Sequence, residues 1–303
     1  AKRFDSIGVE SNFENRNEYR DLLITATGME EYIGGVIMFD ETLRQNTTCD
    51  NKTPFVDYLV SKGVVPGIKV DKGAKELAGF SGEKVTEGLD GLRDRLKEYY
   101  EMGARFAKWR AVITISEVTP SLACFEANAH ALARYAALCQ ESGLVPIVEP
   151  EVLMDGTHTI EKCYDVTDMA LKITFQQLKT QNVSLEGMVL KPNMVIPAID
   201  CQEQASVEKV AELTLKCLKK NVPDEVTGIA FLSGGQSSDA ATAHLNTMNA
   251  MDDTLPWNLT FSYGRALQQD ALNAWKGDDR EAGQYSFLER AKNNSLAAKG
   301  SLS

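Results

Sequence analysis

The chain has 303 residues, with 32 basic against 43 acidic side chains and a formal net charge of −11. That balance argues against a nucleic-acid surface, which needs clustered Lys and Arg to neutralise phosphates. Ordinary apolar (43%) and charged (25%) shares argue against disorder, and no run of about 18 apolar residues points to a membrane span.

The opening AKRFDSIGVE has no hydrophobic signal region. Six scattered cysteines (Cys49, Cys124, Cys139, Cys163, Cys201, Cys217), without a CxxC pair, read as reduced thiols in a cytoplasmic protein. Three distant histidines, His130, His158 and His244, lack ligand spacing, so no metal site is expected.

In chain order, near-continuous apolar runs at 34–40 and 64–73 read as strands buried on both faces. A helical pattern at 88–102 leads to a third run, 104–113. Thr119-Pro120-Ser121 then reads as a capping residue with Pro at the first helical position, opening a helix to about 140. Runs at 144–153, 186–195, 227–235 and 258–267 alternate with helices at 159–181, 205–220 and 237–251. Helical sequence continues at 265–276 and 284–297. Tyr99-Tyr100 and the acidic 277–281 stretch read as solvated; Trp109 is expected to pack on the outside of the barrel, Trp257 and Trp275 in core or interface.

Repeated β-then-α units imply an α/β fold with a parallel sheet and right-handed crossovers. A doubly wound open sheet and a closed (β/α)8 barrel both fit that order. The barrel is favoured, because no Gly-x-Gly-x-x-Gly follows a strand and polar residues end many different strands. No Pro-, Gly- or Ser-rich linker divides 1–303, so one domain is expected. Seven strands leave the barrel one short, and the missing first strand is expected ahead of residue 1.

Lys69, Lys108, Arg110, Glu149, Glu151, Lys191 and Arg265 all fall within or at the ends of these runs. Buried charges need partners, and a barrel gathers strand ends into one pocket. Lys191, in MVLKPNMV, sits among apolar residues that disfavour its ammonium. A free amine attacks a carbonyl to form a Schiff base. Lys108 is the candidate second cation, and Glu149 and Glu151, two apart on one strand, are candidates for one acid and one base. The glycines of SGGQS, residues 233–237, can present backbone N–H groups to an anion, with Arg265 one strand later. Lys69, Lys108 and Arg110 suit a second anion across the mouth, and a cation-rich site in an acidic chain suits a phosphorylated metabolite.

GIKVDKG, FAKWR, VPIVEPE, LKPNMV, FLSGGQS and FSYGRAL, with the helix ANAHALARYA at 127–136, resemble the class I fructose-bisphosphate aldolase family over essentially the whole chain. The resemblance implies a closed (β/α)8 barrel, a homotetramer, and no metal or cofactor. Its implied activity is reversible cleavage of fructose 1,6-bisphosphate to dihydroxyacetone phosphate and glyceraldehyde 3-phosphate, in glycolysis and gluconeogenesis. Lys191 then matches the Schiff-base lysine and Glu149 the carboxyl that handles protons around the carbinolamine. Glu151 matches its companion, and Lys108 the assisting lysine. Lys69 and Arg110 match cations near the far phosphate. Ser233, Gly234, Gly264 and Arg265, with Ser262 beside them, match the phosphate site of the dihydroxyacetone half. The family also carries an Ala-Asp-Glu-Ser strand ahead of the KRF-like sequence, and a mobile tail ending in Tyr; truncation at both ends is therefore expected. Alternatives are a pyruvate-type aldolase or transaldolase, which needs fewer phosphate contacts, and a zinc-dependent aldolase, which the few histidines disfavour. A protein-binding scaffold is the reading from another class, and secondary protein partners fit the family.

Overall fold

The computed structural model describes residues 2–48, 52–252 and 254–302; Cys49 lies outside them. Two helices, α1 (Lys2–Asp5) and α2 (Phe13–Ile24), precede strand β1 (Gly35–Met38). Short helices α3 (Asp40–Leu43) and α4 (Phe55–Ser61) lead to β2 (Val65–Lys69). A two-stranded antiparallel hairpin, β3 (Ala74–Glu76) and β4 (Lys84–Thr86), interrupts the alternation. From there the order is regular: α5 (Leu92–Glu101), β5 (Phe106–Ile113), α6 (Leu122–Glu141), β6 (Val145–Val152), α7 (Ile160–Thr180) and β7 (Val189–Leu190). Then come α8 (Val207–Asn221), β8 (Gly228–Phe231), α9 (Ser238–Met251), β9 (Asn258–Phe261), α10 (Arg265–Trp275) and α11 (Arg280–Ala297).

Seven strands form one parallel sheet in the order β1-β2-β5-β6-β7-β8-β9. The sheet curls. Residues from β1 and from the β9 end, Gly35–Phe39 and Phe261–Gly264, line one shared cavity of about 450 Å³. Side chains of one parity therefore face inward. On β5, Trp109 takes the other parity, fully buried against Tyr135 of α6 with ring centroids 5.5 Å apart. It packs between sheet and helix, as its position in the sequence suggests.

Phe106 fills the amino-terminal floor of the curl. A Cβ on Gly67 of β2 would sit 2.2 Å from its ring, and one on Gly35 of β1 at 3.0 Å. Glycine at these two places lets three neighbouring strands close over one aromatic ring.

Several sequence expectations need correction. The cap of α6 is Ser121, whose hydroxyl accepts Cys124 N–H, and Pro120 precedes the cap instead of following it. The 186–195 run pairs only over Val189–Leu190. Pro192 has no N–H for a ladder, and the Asn193 side chain takes over, accepting Val152 N–H and donating to Thr167. Arg265 is the first residue of α10, not the end of a strand. Tyr99 is buried where a solvated position was expected. Helices α2 and α4 and the β3–β4 hairpin were not anticipated. The buried cysteines are free: Cys124 and Cys139 on α6, Cys163 on α7 and Cys217 on α8. Burial raises all four thiol pKa values, Cys124 to about 11.

Candidate active site

Strand register builds the site. Lys69 pairs with Lys108 across β2 and β5, and Arg110 with Glu149 across β5 and β6. Val148 pairs with Leu190, so Lys191, one residue on, stands beside Glu149. Lys191 N–H also donates to Val148 O at 2.8 Å. Parallel partners point the same way, and residues two apart share a face. Four strands therefore send charged side chains into one interior.

Glu149 is the hub. Its Oε1 lies 3.2 Å from Lys191 Nζ and its Oε2 3.3 Å from Lys108 Nζ. Glu149, Lys108 and Lys191 are all buried, Lys191 with 8% exposure. Burial lowers the Lys191 pKa below that of an ordinary lysine, Glu149 opposes the fall, and Lys108 adds to it. The apolar flanks of MVLKPNMV thus bury the amine beside a single carboxylate that it shares with Lys108.

Glu149 and Glu151 do not act on one target. Glu151 forms an ion pair with Arg110 instead of the lysines. Burial opposes the Arg110 charge, but Glu151 outweighs it and the guanidinium pKa is raised. One carboxylate serves the amines and the other holds an arginine whose side chain remains 44% exposed at the rim.

Sequence reasoning missed Asp71. Its side chain is nearly fully buried, 2.7 Å from Lys69 Nζ and 3.9 Å from Lys108 Nζ. It also accepts the N–H groups of Gly73 and Arg110. The available signal was an acid two residues after a strand lysine in GIKVDKG, inside an otherwise cationic group. Arg3 was missed too: its guanidinium approaches Gly264, and Arg265 is near enough to contribute to lowering its pKa, after burial.

The SGGQS turn joins β8 to α9. Gln236 N–H donates to Ser233 O at 3.1 Å, and Gly234 takes a φ of +58°, a conformation open to glycine. Arg265 donates to Gly234 O at 2.9 Å, which joins the arginine to the turn as expected. Gly235 N–H is turned to Met154 Sδ at 2.9 Å. Ser262 and Gly264 line the same cavity as Lys69, Lys108 and Lys191. Of the residues chosen from sequence, Lys69, Lys108, Lys191, Ser262 and Gly264 line this cavity and Glu149 bridges two of its lysines; Gly234 and Arg265 are joined to each other outside that lining, with Ser233 in the same turn, and Arg110 pairs separately with Glu151.

A buried lysine beside a carboxylate shared with a second lysine, and a glycine turn bonded to an arginine, on a parallel α/β sheet, are the features of a lysine-dependent enzyme for anionic carbonyl compounds. The family model for class I fructose-bisphosphate aldolase matches residues 1–303. The chain belongs to that family, and with it is an aldolase, a glycolytic lyase of the Schiff-base class. It is 59% identical over 303 residues to a probable fructose-bisphosphate aldolase class 1 of Xanthomonas campestris, covering 99% of this chain and 90% of the relative. It is 52% identical over 302 residues to the cytosolic fructose-bisphosphate aldolase 4 of Arabidopsis thaliana, covering 99% and 76%. A solved fructose-bisphosphate aldolase from Plasmodium falciparum, in complex with TRAP and a small-molecule inhibitor, superposes with a TM-score of 0.97 at 46% identity. That match covers 100% of this chain and 87% of the other. No helix among the described residues is long and apolar enough to cross a membrane.

Proposed function

We propose that this aldolase cleaves fructose 1,6-bisphosphate reversibly to dihydroxyacetone phosphate and glyceraldehyde 3-phosphate, with Lys191 as the Schiff-base residue. The observation that carries this is the buried Lys191 amine held 3.2 Å from Glu149, with Lys108 on the same carboxylate. Glu149 accepts the Lys191 ammonium proton, and the freed amine adds to the C2 carbonyl. Glu149 gives a proton to the carbinolamine hydroxyl, which leaves as water and yields a protonated imine. A base takes the C4 hydroxyl proton, the C3–C4 bond breaks, the aldehyde departs and the electron pair enters the imine to give an enamine. Protonation at C3 and hydrolysis then release dihydroxyacetone phosphate.

Ser233, Gly234, Ser262, Gly264 and Arg265 hold the C1 phosphate on this reading, and Lys69 and Arg110 the far one. Lys108 assists charge and proton handling, and Glu151 acts through Arg110. The single domain over 1–303 is read as a (β/α)8-type barrel, and the approach of β1 and β9 to one cavity supports that reading. A cytoplasmic location suits the cytosolic relatives and protein partners suit the relative solved with TRAP; the assembly is read as a homotetramer.

Borohydride trapping with fructose 1,6-bisphosphate tests the assignment. Peptide mass spectrometry should find the reduced sugar-phosphate adduct on Lys191 and none in Lys191→Ala. An adduct on another lysine would overturn it.

A further inference from the structure

His244, on α9, touches none of the charged residues above, yet it is buried at 8% exposure. Its Nδ1 lies 2.6 Å from Gln236 Oε1. The orientation of that amide is fixed from its other end. Gln236 Nε2 faces Ser233 O at 3.1 Å, and a carbonyl only accepts, so Nε2 is the donor. Oε1 is then an acceptor, and the imidazole carries its proton on Nδ1. Burial keeps the ring neutral, with its pKa pushed down to about 4.

The Gln236 amide also reaches Met194 Sδ at 3.7 Å. Met194 stands three residues after Lys191, in the segment that follows β7. One amide therefore spans the lysine's loop and the turn offered to phosphate. In dihydroxyacetone phosphate the carbonyl carbon and the phosphate are separated by a fixed, short set of bonds. A site that holds both ends must keep that spacing, and small errors in it are costly.

We infer that His244 is a positioning residue: through Gln236 it fixes the Ser233–Gln236 turn at the separation from Lys191 that a phosphorylated ketone requires. This deepens the assignment of the turn as the C1-phosphate site, and it rests on that assignment. His244 does not touch substrate. It selects for the phosphate ester over the unphosphorylated ketone by holding one phosphate-binding element still.

The test compares half-saturating ketone concentrations for borohydride trapping on Lys191 in the full-length enzyme, with dihydroxyacetone phosphate and with dihydroxyacetone. His244→Leu removes the donor at similar bulk. It should raise the half-saturating concentration of the phosphate ester about tenfold, the scale of one lost buried hydrogen bond, and leave dihydroxyacetone unchanged. Asn carries its amide nitrogen on Cγ, as histidine carries Nδ1. His244→Asn should therefore return the phosphate ester to within about threefold of the parent, which a general packing role would not predict. Gln236→Leu breaks the same bond from a partly exposed position, and its result stands if His244→Leu does not fold. An unchanged phosphate-ester value in the folded variants, an equal shift for both ketones, or no rescue by Asn would overturn the inference. Arg265→Ala runs in parallel. If it too leaves the phosphate ester unaffected, the phosphate-site assignment fails; if it alone shifts, only the positioning role of His244 fails.

Discussion

Glu149→Gln replaces the carboxylate between two ammonium groups with a neutral amide of the same shape. At 3.2 Å from Lys191 Nζ, and with an effective dielectric of about 20, the attraction between unit charges is about 5 kcal/mol. Lys108 draws on the same carboxylate from 3.3 Å, and the amide oxygen keeps part of the dipole. A net fall in the Lys191 pKa is therefore expected, because Glu149 opposes the lowering that burial and Lys108 impose. Reductive methylation with formaldehyde and cyanoborohydride across pH reports it, because that chemistry does not need Glu149. The midpoint for methylating Lys191, read by peptide mass spectrometry, should move to lower pH, while turnover falls about 10²–10⁴-fold with the proton donor gone. A midpoint that stays or rises would refute the reasoning, and so would turnover near the parent value.

Lys191→Met should abolish trapping and lower cleavage by at least about 10⁴-fold, measured in a coupled assay. The folded pKa of Lys191 lies below the ordinary value of 10.5, so between the two the unfolded chain binds the extra proton. The Lys191 contribution to stability should therefore rise with pH up to about 10.5 while the four raised thiols pull the other way, so the stability of the parent relative to Lys191→Met in urea melts should increase over that range. Gly67→Ala forces a methyl toward the Phe106 ring, where its Cβ would lie at 2.2 Å. It should cost about 1–3 kcal/mol in urea unfolding, with part regained in Gly67→Ala/Phe106→Leu. Asp71→Asn leaves Lys69 without its close counter-ion. It should lower stability by about 1–3 kcal/mol and alter KM for the bisphosphate more than kcat, as steady-state kinetics would show.

The chemistry was more legible than the scaffold. Lysine, arginine and glutamate in apolar strands violate the burial rule unless they meet, and the parallel register makes them meet at Glu149 and Lys191. The glycine turn and Arg265 also converged, although Arg265 arrives from a helix start. Less visible was everything that depends on a partner distant in sequence. Asp71 reads as an ordinary turn residue until Lys108 and Arg110 from β5 are brought beside it. His244 has no signature of its own on α9; its role is defined by Gln236 across the turn. Helix α2 lacks a strong apolar stripe because polar contacts anchor it, including Arg16 and Arg20 to Glu41 and Asp21 to Arg280. The short pairing of β7 followed from Pro192, a breaker that the apolar run of LKPNMV concealed.

The buried cysteines give the molecule a built-in reporter. Four thiols lie on three successive outer helices, α6, α7 and α8, and burial raises each pKa. Alkylating reagents need an exposed thiolate, so the closed state should be nearly silent to them. Each labelling rate then measures how often its own helix lifts from the sheet. Cys124 and Cys139 sit near opposite ends of α6, so their ratio separates fraying of one end from detachment of the whole helix. Local opening of the outer layer can thus be followed by mass spectrometry without adding a label site or altering a residue that faces the lysines.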